Sequence, residues 1–272
     1  MDILVDPTRP STHFDFGRNW AAYAADLPND AIDRASEGLE RLGLSDLNDR
    51  TFLDIGCGSG VHALAAMKKG ASVICIDVDN DSVATANALF VSGGFPPVAR
   101  QQSILDGDVK NLGKFDIVYS WGVLHHTGDV WRAIESAAEL VALGGVFAIA
   151  LYEKAPLCGL WEKEKHFYAK AGPLVRRLIR YPFGAARLLA SCLLRRVSPL
   201  SMIRHYNADR GMDFWRDADD WLGGYPYQST RADEVIGFVE ALGLRLRHKS
   251  VVRPSLGVFG TGCSEFVFNA RA

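Results

Sequence analysis

The strongest constraint on the fold is a glycine turn at residues 51–60, which reads Thr-Phe-Leu-Asp-Ile-Gly-Cys-Gly-Ser-Gly. A short apolar run ends in this turn, and a helical apolar pattern begins at Val61. Glycine takes positive φ angles and leaves space for a ligand that a Cβ would exclude. The following helix offers unpaired N–H groups and a partial positive charge. The pattern predicts a buried strand, a tight turn and a helix whose N-terminus faces a ligand.

The spacing of the glycines separates two classes of nucleotide cofactor. A dinucleotide turn has the order G-x-G-x-x-G, with its third glycine inside the helix. Here that position is Val61, and the order is G-x-G-x-G. Asp54 stands two residues before the first glycine, and a second apolar run ends at Asp77. A carboxylate in this second position accepts hydrogen bonds from both hydroxyls of a ribose.

With these motifs the chain resembles the class I S-adenosylmethionine-dependent methyltransferases. Their first motif is similar to Leu53–Gly60 here, and their ribose-binding acid matches Asp77. The resemblance is strong over residues 51–151 and rests on pattern alone over 231–270. It implies S-adenosylmethionine as the cofactor. A nicotinamide dinucleotide domain, or a nucleotide fold without a cofactor, is the alternative.

Residues 51–151 alternate apolar runs with helical patterns, which predicts a parallel sheet covered on both faces. The expected strands are 51–56, 72–77, 97–102, 115–121 and 145–151, and the expected helices are 60–70, 80–92 and 128–142. The pair Gly144-Gly145 predicts the turn before the fifth strand. With the resemblance, the fold class is α/β: a doubly wound, Rossmann-like seven-stranded sheet whose last strand is antiparallel, with a helical lid.

Four segments make up the predicted domain organisation. Residues 1–50 form a helical extension over the cofactor site, with a helix over 31–42. Residues 51–151 and 231–272 form the methyltransferase core, with a helix over 231–242 and extended runs at 244–253 and 263–270. Residues 152–230 form a lid inserted before the last helix, with a helical stretch over 161–208 and a loop-rich segment over 210–227.

Composition excludes several classes of protein. The chain has 272 residues, 48% of them hydrophobic, and a net charge of −2, which gives no bulk electrostatic reason to expect nucleic acid. Its five cysteines follow neither a disulfide framework nor a zinc pattern. The first residues have no signal-peptide pattern, and no apolar run approaches the length of a membrane span. We therefore expect a cytoplasmic protein without a metal site.

The resemblance implies cofactor contacts at the strand ends and in the N-terminal extension. The expected residues are Asn19, Trp20, Asp54, Gly56, Gly58, Gly60, Asp77, Val78, Ser103, Ile104, Ser120 and Trp121. For Ile104 and Trp121 the alternative is packing in the core, because apolar strand ends are usually buried. For the aromatic segment that contains Asn19 and Trp20, the alternative is an anchor for the first helix.

His125 is the expected catalytic residue, because the resemblance places a histidine pair after the fourth strand, beside the methyl group. Imidazole accepts a proton near neutral pH, so His125 is either a general base or a residue that shapes the pocket. His166 and His205 are the fallback bases. The adjacent pair His125-His126 does not suit a metal, because neighbouring residues on one turn do not both reach one ion.

Candidates for the acceptor site are mainly aromatic side chains that flank the histidine pair or lie in the lid. They are His126, Tyr152, Asp213, Trp215, Tyr225 and Tyr227. Such a density of aromatic residues in one segment favours a ligand wall, and packing of the insertion is the alternative.

A basic stretch without any acidic residue runs between Glu164 and Asp209. Its cations and interleaved apolar residues are compatible with peripheral contact to an anionic membrane through 165–204, with an anionic substrate, or with RNA. The favoured interpretation is a lid helix or a homodimer face with a solvated basic side.

The predicted function is methyl transfer from S-adenosylmethionine to an oxygen or nitrogen of a small molecule. The family's "Asn/Asp-Pro-Pro-Tyr/Phe" run, which serves amino groups of bases and glutamine amides, is replaced by Ser120-Trp-Gly-Val. The lid segment and the C-terminal run are similar to a bacterial subgroup named after ubiquinone-type O-methyltransferases. An RNA methyltransferase and a non-catalytic S-adenosylmethionine-binding module are the alternatives.

Overall fold

A computed structural model of the protein describes Ala24, residues 27–210 and residues 214–271. Its centre is a seven-stranded sheet in the order β3-β2-β1-β4-β5-β7-β6. The strands are β1 (Thr51–Ile55), β2 (Ser72–Asp77), β3 (Ala99–Gln101), β4 (Phe115–Trp121), β5 (Val141–Tyr152), β6 (Leu244–Ser250) and β7 (Cys263–Ala270). β1 to β5 pair in parallel, and β7 lies antiparallel between β5 and β6. The predicted fold class is confirmed.

Helices cover both faces of the sheet and give it two cores. They are α1 (Ala31–Arg41), α2 (Val61–Lys68), α3 (Asn80–Ser92), α4 (Val130–Ala138) and α9 (Ala232–Ala241). Side chains alternate between the faces along each strand: Phe52 packs with α1 and α2, whereas Leu53 and Ile55 pack with α4 and α9. Burial on both faces explains why these strands are almost continuous apolar runs.

The boundary between α4 and β5 differs from its prediction. The helix expected over 128–142 ends at Ala138, and β5 begins at Val141 instead of residue 145. The Gly144-Gly145 pair lies inside β5, at a point where its pairing with β4 is irregular. Phe115 pairs with Val141 but Ile117 pairs with Val146, so the glycines fall in the shift of register between the two pairs. A Cβ on Gly145 would lie 2.9 Å from the carbonyl oxygen of Ala142, so a glycine bulge continues the strand where the sequence pattern predicted a turn.

The other predicted boundaries differ by only a few residues. α2 ends at Lys68, and β3 is limited to Ala99–Gln101. The last helix begins at Ala232, and β6 ends at Ser250. Helix ends fray and edge strands are short, so these differences leave the predicted element order unchanged.

The insertion is built from four helices: α5 (Cys158–Lys170), α6 (Pro173–Arg195), α7 (Pro199–Arg210) and α8 (Phe214–Gly223). The stretch expected over 161–208 is thus divided into three helices. The loop-rich prediction for 210–227 was wrong, because α8 occupies most of the described part of it. Phe214, Ala218 and Leu222 are buried at helical spacing, a period that the intervening acids and tryptophans obscure.

The chain divides into two compact units. Among the described residues, Gly159–Tyr227 form one unit, and the residues before Gly159 and after Tyr227 form the sheet unit. Across the described residues, no helix combines the length and apolar character needed to cross a bilayer.

Candidate functional site

The glycine turn has the backbone that its sequence requires. Gly56, Gly58 and Gly60 have φ angles of 74°, 53° and 81°, a region that L-residues with a Cβ rarely adopt. A Cβ on Gly56 would lie 2.3 Å from a methyl carbon of Val123, and one on Gly60 would lie 2.8 Å from the ring of Phe90. The turn is therefore closely packed against the loop after β4 and against α3, and it leaves a side-chain-free backbone at the end of β1.

Asp77 lies beside this turn at the end of β2. Its Oδ2 accepts a hydrogen bond from the Gly58 N–H at 3.0 Å, and its Oδ1 accepts one from the Asp79 N–H at 2.9 Å. These two backbone contacts fix the position of the carboxylate at the strand end. The next residue, Val78, is an apolar side chain with 42% exposure. The pair presents an anchored carboxylate next to an open apolar surface.

Asp54 at the end of β1 is a buried carboxyl with an altered proton affinity. Its exposure is 3%. Burial, and secondly the charge of Asp77, raise its pKa from 3.8 to about 7. Both effects disfavour the anion. A cationic group placed beside Asp54 would reverse this preference and draw the carboxyl into its ionised form.

The end of β3 is organised around a polar turn. The Ser103 N–H donates to Asp106 Oδ2 at 2.8 Å, and the Ser103 hydroxyl accepts from the Leu105 N–H at 3.1 Å. Ile104 has 4% exposure and packs in the hydrophobic core. This burial matches the core-packing alternative for Ile104, and Asp106 serves the turn itself.

The two residues at the end of β4 have opposite environments. Ser120 is fully buried, and its hydroxyl donates to the carbonyl oxygen of Ile55 at 3.0 Å, which ties β4 to β1. Trp121 is 47% exposed, and its indole N–H donates to Glu265 Oε1 on β7 at 2.9 Å. Core packing does not describe Trp121, which offers an aromatic face at the edge where the glycine turn lies.

His125 lies in a short 3₁₀ turn, Leu124–His126, and is fully buried. Its Nδ1 accepts a hydrogen bond from the Tyr152 N–H at 3.3 Å. The ring centroids of His125 and Tyr152 are 4.1 Å apart, and those of His125 and His126 are 4.4 Å apart. Because Nδ1 is the acceptor, the neutral ring carries its proton on Nε2. This arrangement favours the pocket-shaping alternative over the general base.

Gln228 is a site residue that the sequence reasoning missed. Its backbone N–H donates to the carbonyl oxygen of His125 at 3.0 Å, and its side-chain Oε1 accepts from the Val130 N–H at 2.8 Å. It thus connects the histidine turn to the start of α4. Two residues later in the chain, the Thr230 N–H donates a hydrogen bond to the carbonyl oxygen of Tyr152 at 2.9 Å. No local sequence signal marks Gln228, because its partners lie far away in the chain.

Glu153 secures the same region from the end of β5. Its Oε2 accepts from the Ser264 hydroxyl at 2.6 Å, and its Oε1 accepts from the Ala232 N–H at 3.2 Å. The carboxylate therefore caps the N-terminus of α9 and links it to β7. A charged residue directly after a long apolar strand was the only available sequence signal.

The aromatic candidates of the insertion pack within their own unit. Trp215 lies so close to α6 that a Cβ on Gly184 would be 2.5 Å from its ring. Tyr227 has 3% exposure, and the rings of Tyr225 and His166 are 4.8 Å apart. Their role as a substrate wall stays a prediction. Asn19, Trp20 and Asp213 lie outside the described residues.

Lys165 is a second residue that the sequence reasoning missed, because it was grouped with the basic stretch. It is fully buried, and its Nζ lies 3.7 Å from the centre of the Trp221 ring and 5.2 Å from that of Tyr227. An ammonium over aromatic faces is stabilised by the ring quadrupoles. Lys165 is therefore part of the core of the insertion.

Three arginines of the basic stretch have partners inside the insertion, which corrects the expectation of a solvated basic side for these three; Arg177, Arg196 and Arg204 are exposed. Arg187 on α6 lies 2.7 Å from Asp217 on α8, and Arg180 lies 3.8 Å from Asp219. Arg176 donates to two backbone carbonyls of α5. The basic stretch gives no sign of these contacts, because the acids that pair with Arg187 and Arg180 follow it in the sequence and the partners of Arg176 are backbone carbonyls. Within the described residues, no group of His, Cys, Asp or Glu side chains is suited to hold a metal ion.

Comparison with known proteins agrees with this geometry. Residues 53–149 match the family described as "Methyltransferase domain". The chain is 30% identical over 141 residues to a ubiquinone biosynthesis O-methyltransferase of Paracidovorax citrulli, covering 47% of this chain and 59% of that protein. It is 33% identical over 96 residues to the Vibrio parahaemolyticus protein of the same name, covering 35% of this chain and 41% of that protein. The chain thus spans less than two thirds of either relative.

Solved structures show the same fold at low sequence identity. Magnesium protoporphyrin IX methyltransferase from Synechocystis PCC 6803, solved with bound S-adenosylmethionine, has a TM-score of 0.55 and 11% identity, and the match covers 98% of this chain and 100% of that chain. An S-adenosylmethionine-dependent methyltransferase from Listeria monocytogenes, described as putative, has a TM-score of 0.52 and 14% identity, covering 88% of this chain and 98% of that chain. These similarities establish the fold.

Proposed function

We propose that this chain, whose residues 53–149 match the family described as "Methyltransferase domain", is a class I methyltransferase that transfers a methyl group from S-adenosylmethionine to an oxygen or nitrogen of a small molecule. The observation that carries the proposal is the closely packed glycine turn with the Asp77 carboxylate anchored beside it. The names of the relatives favour oxygen as the acceptor atom.

The residues at the strand ends fit this cofactor. The positive φ angles of the glycine turn present its backbone at the end of β1 for the methionine portion, and the carboxylate of Asp77, which the Gly58 and Asp79 N–H groups hold in place, is a hydrogen-bond acceptor suited to ribose hydroxyls. The exposed side chain of Val78 suits the adenine ring. We assign Asp54 to the methionine ammonium, because a cation stabilises the anion of this buried carboxyl. Ser103, Ile104, Ser120 and Trp121 remain proposed cofactor contacts, as do Asn19 and Trp20 of the N-terminal extension.

The chemistry that the chain must supply is mainly positioning. When bound, S-adenosylmethionine supplies an electrophilic methyl group on a sulfonium sulfur, so the protein has to hold the acceptor in line and exclude water. The neutral Nε2–H form of His125 suits orientation of an acceptor better than removal of its proton. His126, Tyr152, Asp213, Trp215, Tyr225 and Tyr227 stay proposed residues of the acceptor pocket, with 152–230 as the proposed lid.

Two alternatives are less well supported. An RNA methyltransferase would use the basic stretch, but Arg176, Arg180 and Arg187 are engaged inside the insertion. A binding module without turnover would retain the glycine turn and Asp77, and only a turnover assay separates it from an enzyme. A reducing cytoplasmic location is proposed because the five cysteines, all in the described part of the chain, form no disulfide.

The test is transfer of a radiolabelled methyl group from S-adenosylmethionine to a panel of phenols, catechols and primary amines. We expect labelled product with at least one oxygen acceptor, and loss of that product in Asp77→Ala. The Asp233→Ala variant, which removes an exposed carboxylate of α9, is the matched control. Labelling of RNA with no labelling of any small acceptor would contradict the proposed substrate class.

A further inference from the structure

A cluster of exposed apolar side chains lies where α6 meets α7. We call it the apolar tip and define it as Leu193, Leu194, Val197 and Leu200, which are 80%, 85%, 40% and 62% exposed. Side chains of this size are rarely so exposed together on a soluble surface without a partner.

The apolar tip is an ordered part of the fold. The Val197 N–H donates to the carbonyl oxygen of Cys192 at 3.2 Å, which closes the C-terminus of α6. The Ser198 hydroxyl accepts from the Ser201 N–H at 3.2 Å, which caps α7. Hydrogen bonds therefore hold both the end of α6 and the start of α7, and the exposed leucines lie on a defined connection between the two helices.

The exposed apolar surface continues along one side of α6. Leu174, Leu178, Tyr181 and Leu189 are 71%, 66%, 47% and 58% exposed. With Leu193 they follow a spacing of three, four and eight residues, which places them on one side of the helix. The tip is thus the end of a longer apolar stripe.

Other positions of α6 already supply the packing of the helix in its own unit. Leu188 and Cys192, which precede Leu189 and Leu193 in the chain, belong to a core with Phe214, and Arg187 contacts Asp217. Of the stripe itself, the Tyr181 ring contacts Trp215. The packing needs of the helix are met at those other positions, so internal packing does not account for the outward leucines.

The charges around the tip identify the surface that would cover it. No acidic residue occurs between Glu164 and Asp209. Arg177 on α6, Arg196 in the connection between the helices and Arg204 on α7 are exposed cations. A second copy meeting this surface would bring cations together without any carboxylate between them. RNA would pair with the cations but leave the leucines in water.

We propose that the apolar tip and stripe dock on an anionic phospholipid bilayer. The leucines enter the interfacial layer of the bilayer, and Arg177, Arg196 and Arg204 contact the lipid phosphates. The helix lies on the bilayer and does not span it. This inference is independent of the methyl-transfer chemistry, and a non-catalytic protein with this surface would bind in the same way.

Co-sedimentation of the full chain with vesicles tests the proposal. The vesicles are pure phosphatidylcholine in one series and phosphatidylcholine with phosphatidylglycerol, at about three to one, in the other. We expect binding to the anionic vesicles that weakens in high salt, because salt screens the arginines. Leu193→Asp with Leu194→Asp should lower the vesicle affinity by more than about tenfold, since two apolar side chains no longer insert.

A matched control keeps the chemical change and moves it elsewhere. Leu143 and Leu256 are 87% and 67% exposed in the sheet unit, and replacing both by Asp should leave vesicle binding unchanged. Replacing Arg196 and Arg204 by Gln should lower the affinity by about fivefold each, the effect of one cation near an anionic surface.

Four results would overturn the proposal. The first is equal binding to neutral and anionic vesicles, and the second is unchanged binding of the Leu193→Asp, Leu194→Asp protein. The third is a wild-type protein that does not bind vesicles and is a dimer in sedimentation velocity, whereas the Leu193→Asp, Leu194→Asp protein is a monomer. This result would assign the apolar tip to contact with a second copy of the chain. The fourth is retention of single-stranded RNA through the tip without vesicle binding.

Discussion

Replacing Asp54 by Asn should stabilise the ligand-free protein and weaken cofactor binding. The folded protein holds this buried carboxyl at a pKa of about 7, compared with 3.8 in an unperturbed chain. Because the folded pKa is the higher one, the stability contribution of the protonated group is complete below pH 3.8 and is lost as the pH rises through about 7. Asn has no proton to lose, so it escapes this cost.

The magnitude follows from the difference between the two pKa values. At 1.36 kcal/mol per pH unit, the ionisable group costs about 3 kcal/mol at pH 6 and about 4 kcal/mol at pH 8. Burial of the Asn amide offsets part of this gain equally at both pH values. The advantage of Asp54→Asn should therefore grow by about 1.4 kcal/mol from pH 6 to pH 8, or about 3–6 °C in Tm.

Thermal unfolding of dialysed, ligand-free protein at pH 6 and pH 8 measures this difference. Asp49→Asn makes the same chemical change at an exposed turn and serves as the control. Titration with S-adenosylmethionine at pH 8 should show weaker binding to Asp54→Asn, because the anionic partner of the cofactor's ammonium is gone. If the stability change of Asp54→Asn is the same at pH 6 and pH 8, the pKa of Asp54 is not raised in the folded protein.

Three further predictions concern the turn and the loop after β4. Gly56→Ala should lower the free energy of unfolding in urea by at least about 2 kcal/mol, because the new Cβ meets Val123 and the residue keeps a positive φ. Adding Val123→Ala to this variant should restore only the part of the stability lost to the steric contact, since the positive φ remains unfavourable. His125→Asn should keep most of the turnover with a flat pH profile near neutrality, whereas a fall in kcat of about 10²-fold or more would restore the general base. Gln228→Ala should accelerate hydrogen exchange of the Val130 amide, whereas Gln228→Glu should not, because the carboxylate still accepts a hydrogen bond from this N–H. Equal exchange of the Val130 amide in both variants would contradict a role of the Gln228 side chain in holding the start of α4.

The sequence predicted the sheet unit well because its signals are local. Each signal involves only a few neighbouring residues: an alternating or continuous apolar run for a strand, a helical spacing of apolar residues for a helix, and closely spaced glycines for the turn. Gly56 and Asp77 were predicted as cofactor residues for the same reason. A backbone with positive φ requires glycine, and an acid directly after an apolar run is visible in the sequence itself. The Gly144-Gly145 pair misled because glycine serves both a turn and a bulge.

Features that depend on distant partners were not predictable in this way. The pairing of Arg187 with Asp217 joins α6 to an acid that follows the basic stretch, and no periodicity in that stretch reveals it. Gln228 acquires its role only when the chain returns beside His125. The hydrogen bond from the Tyr152 N–H to His125, which favours one of the two chemical roles that the sequence left open, likewise joins residues far apart in the chain.

Calorimetric titration with S-adenosylhomocysteine measures whether the glycine turn and Asp77 form the cofactor site. We expect binding to the wild-type protein and a loss of about 10²-fold or more in affinity for Asp77→Ala, because two charge-assisted hydrogen bonds, each worth roughly 1.5–3 kcal/mol, are removed. Asp233→Ala should bind as the wild type does. Unchanged affinity in Asp77→Ala, or tighter binding of NAD than of S-adenosylhomocysteine, would contradict the assignment of this site.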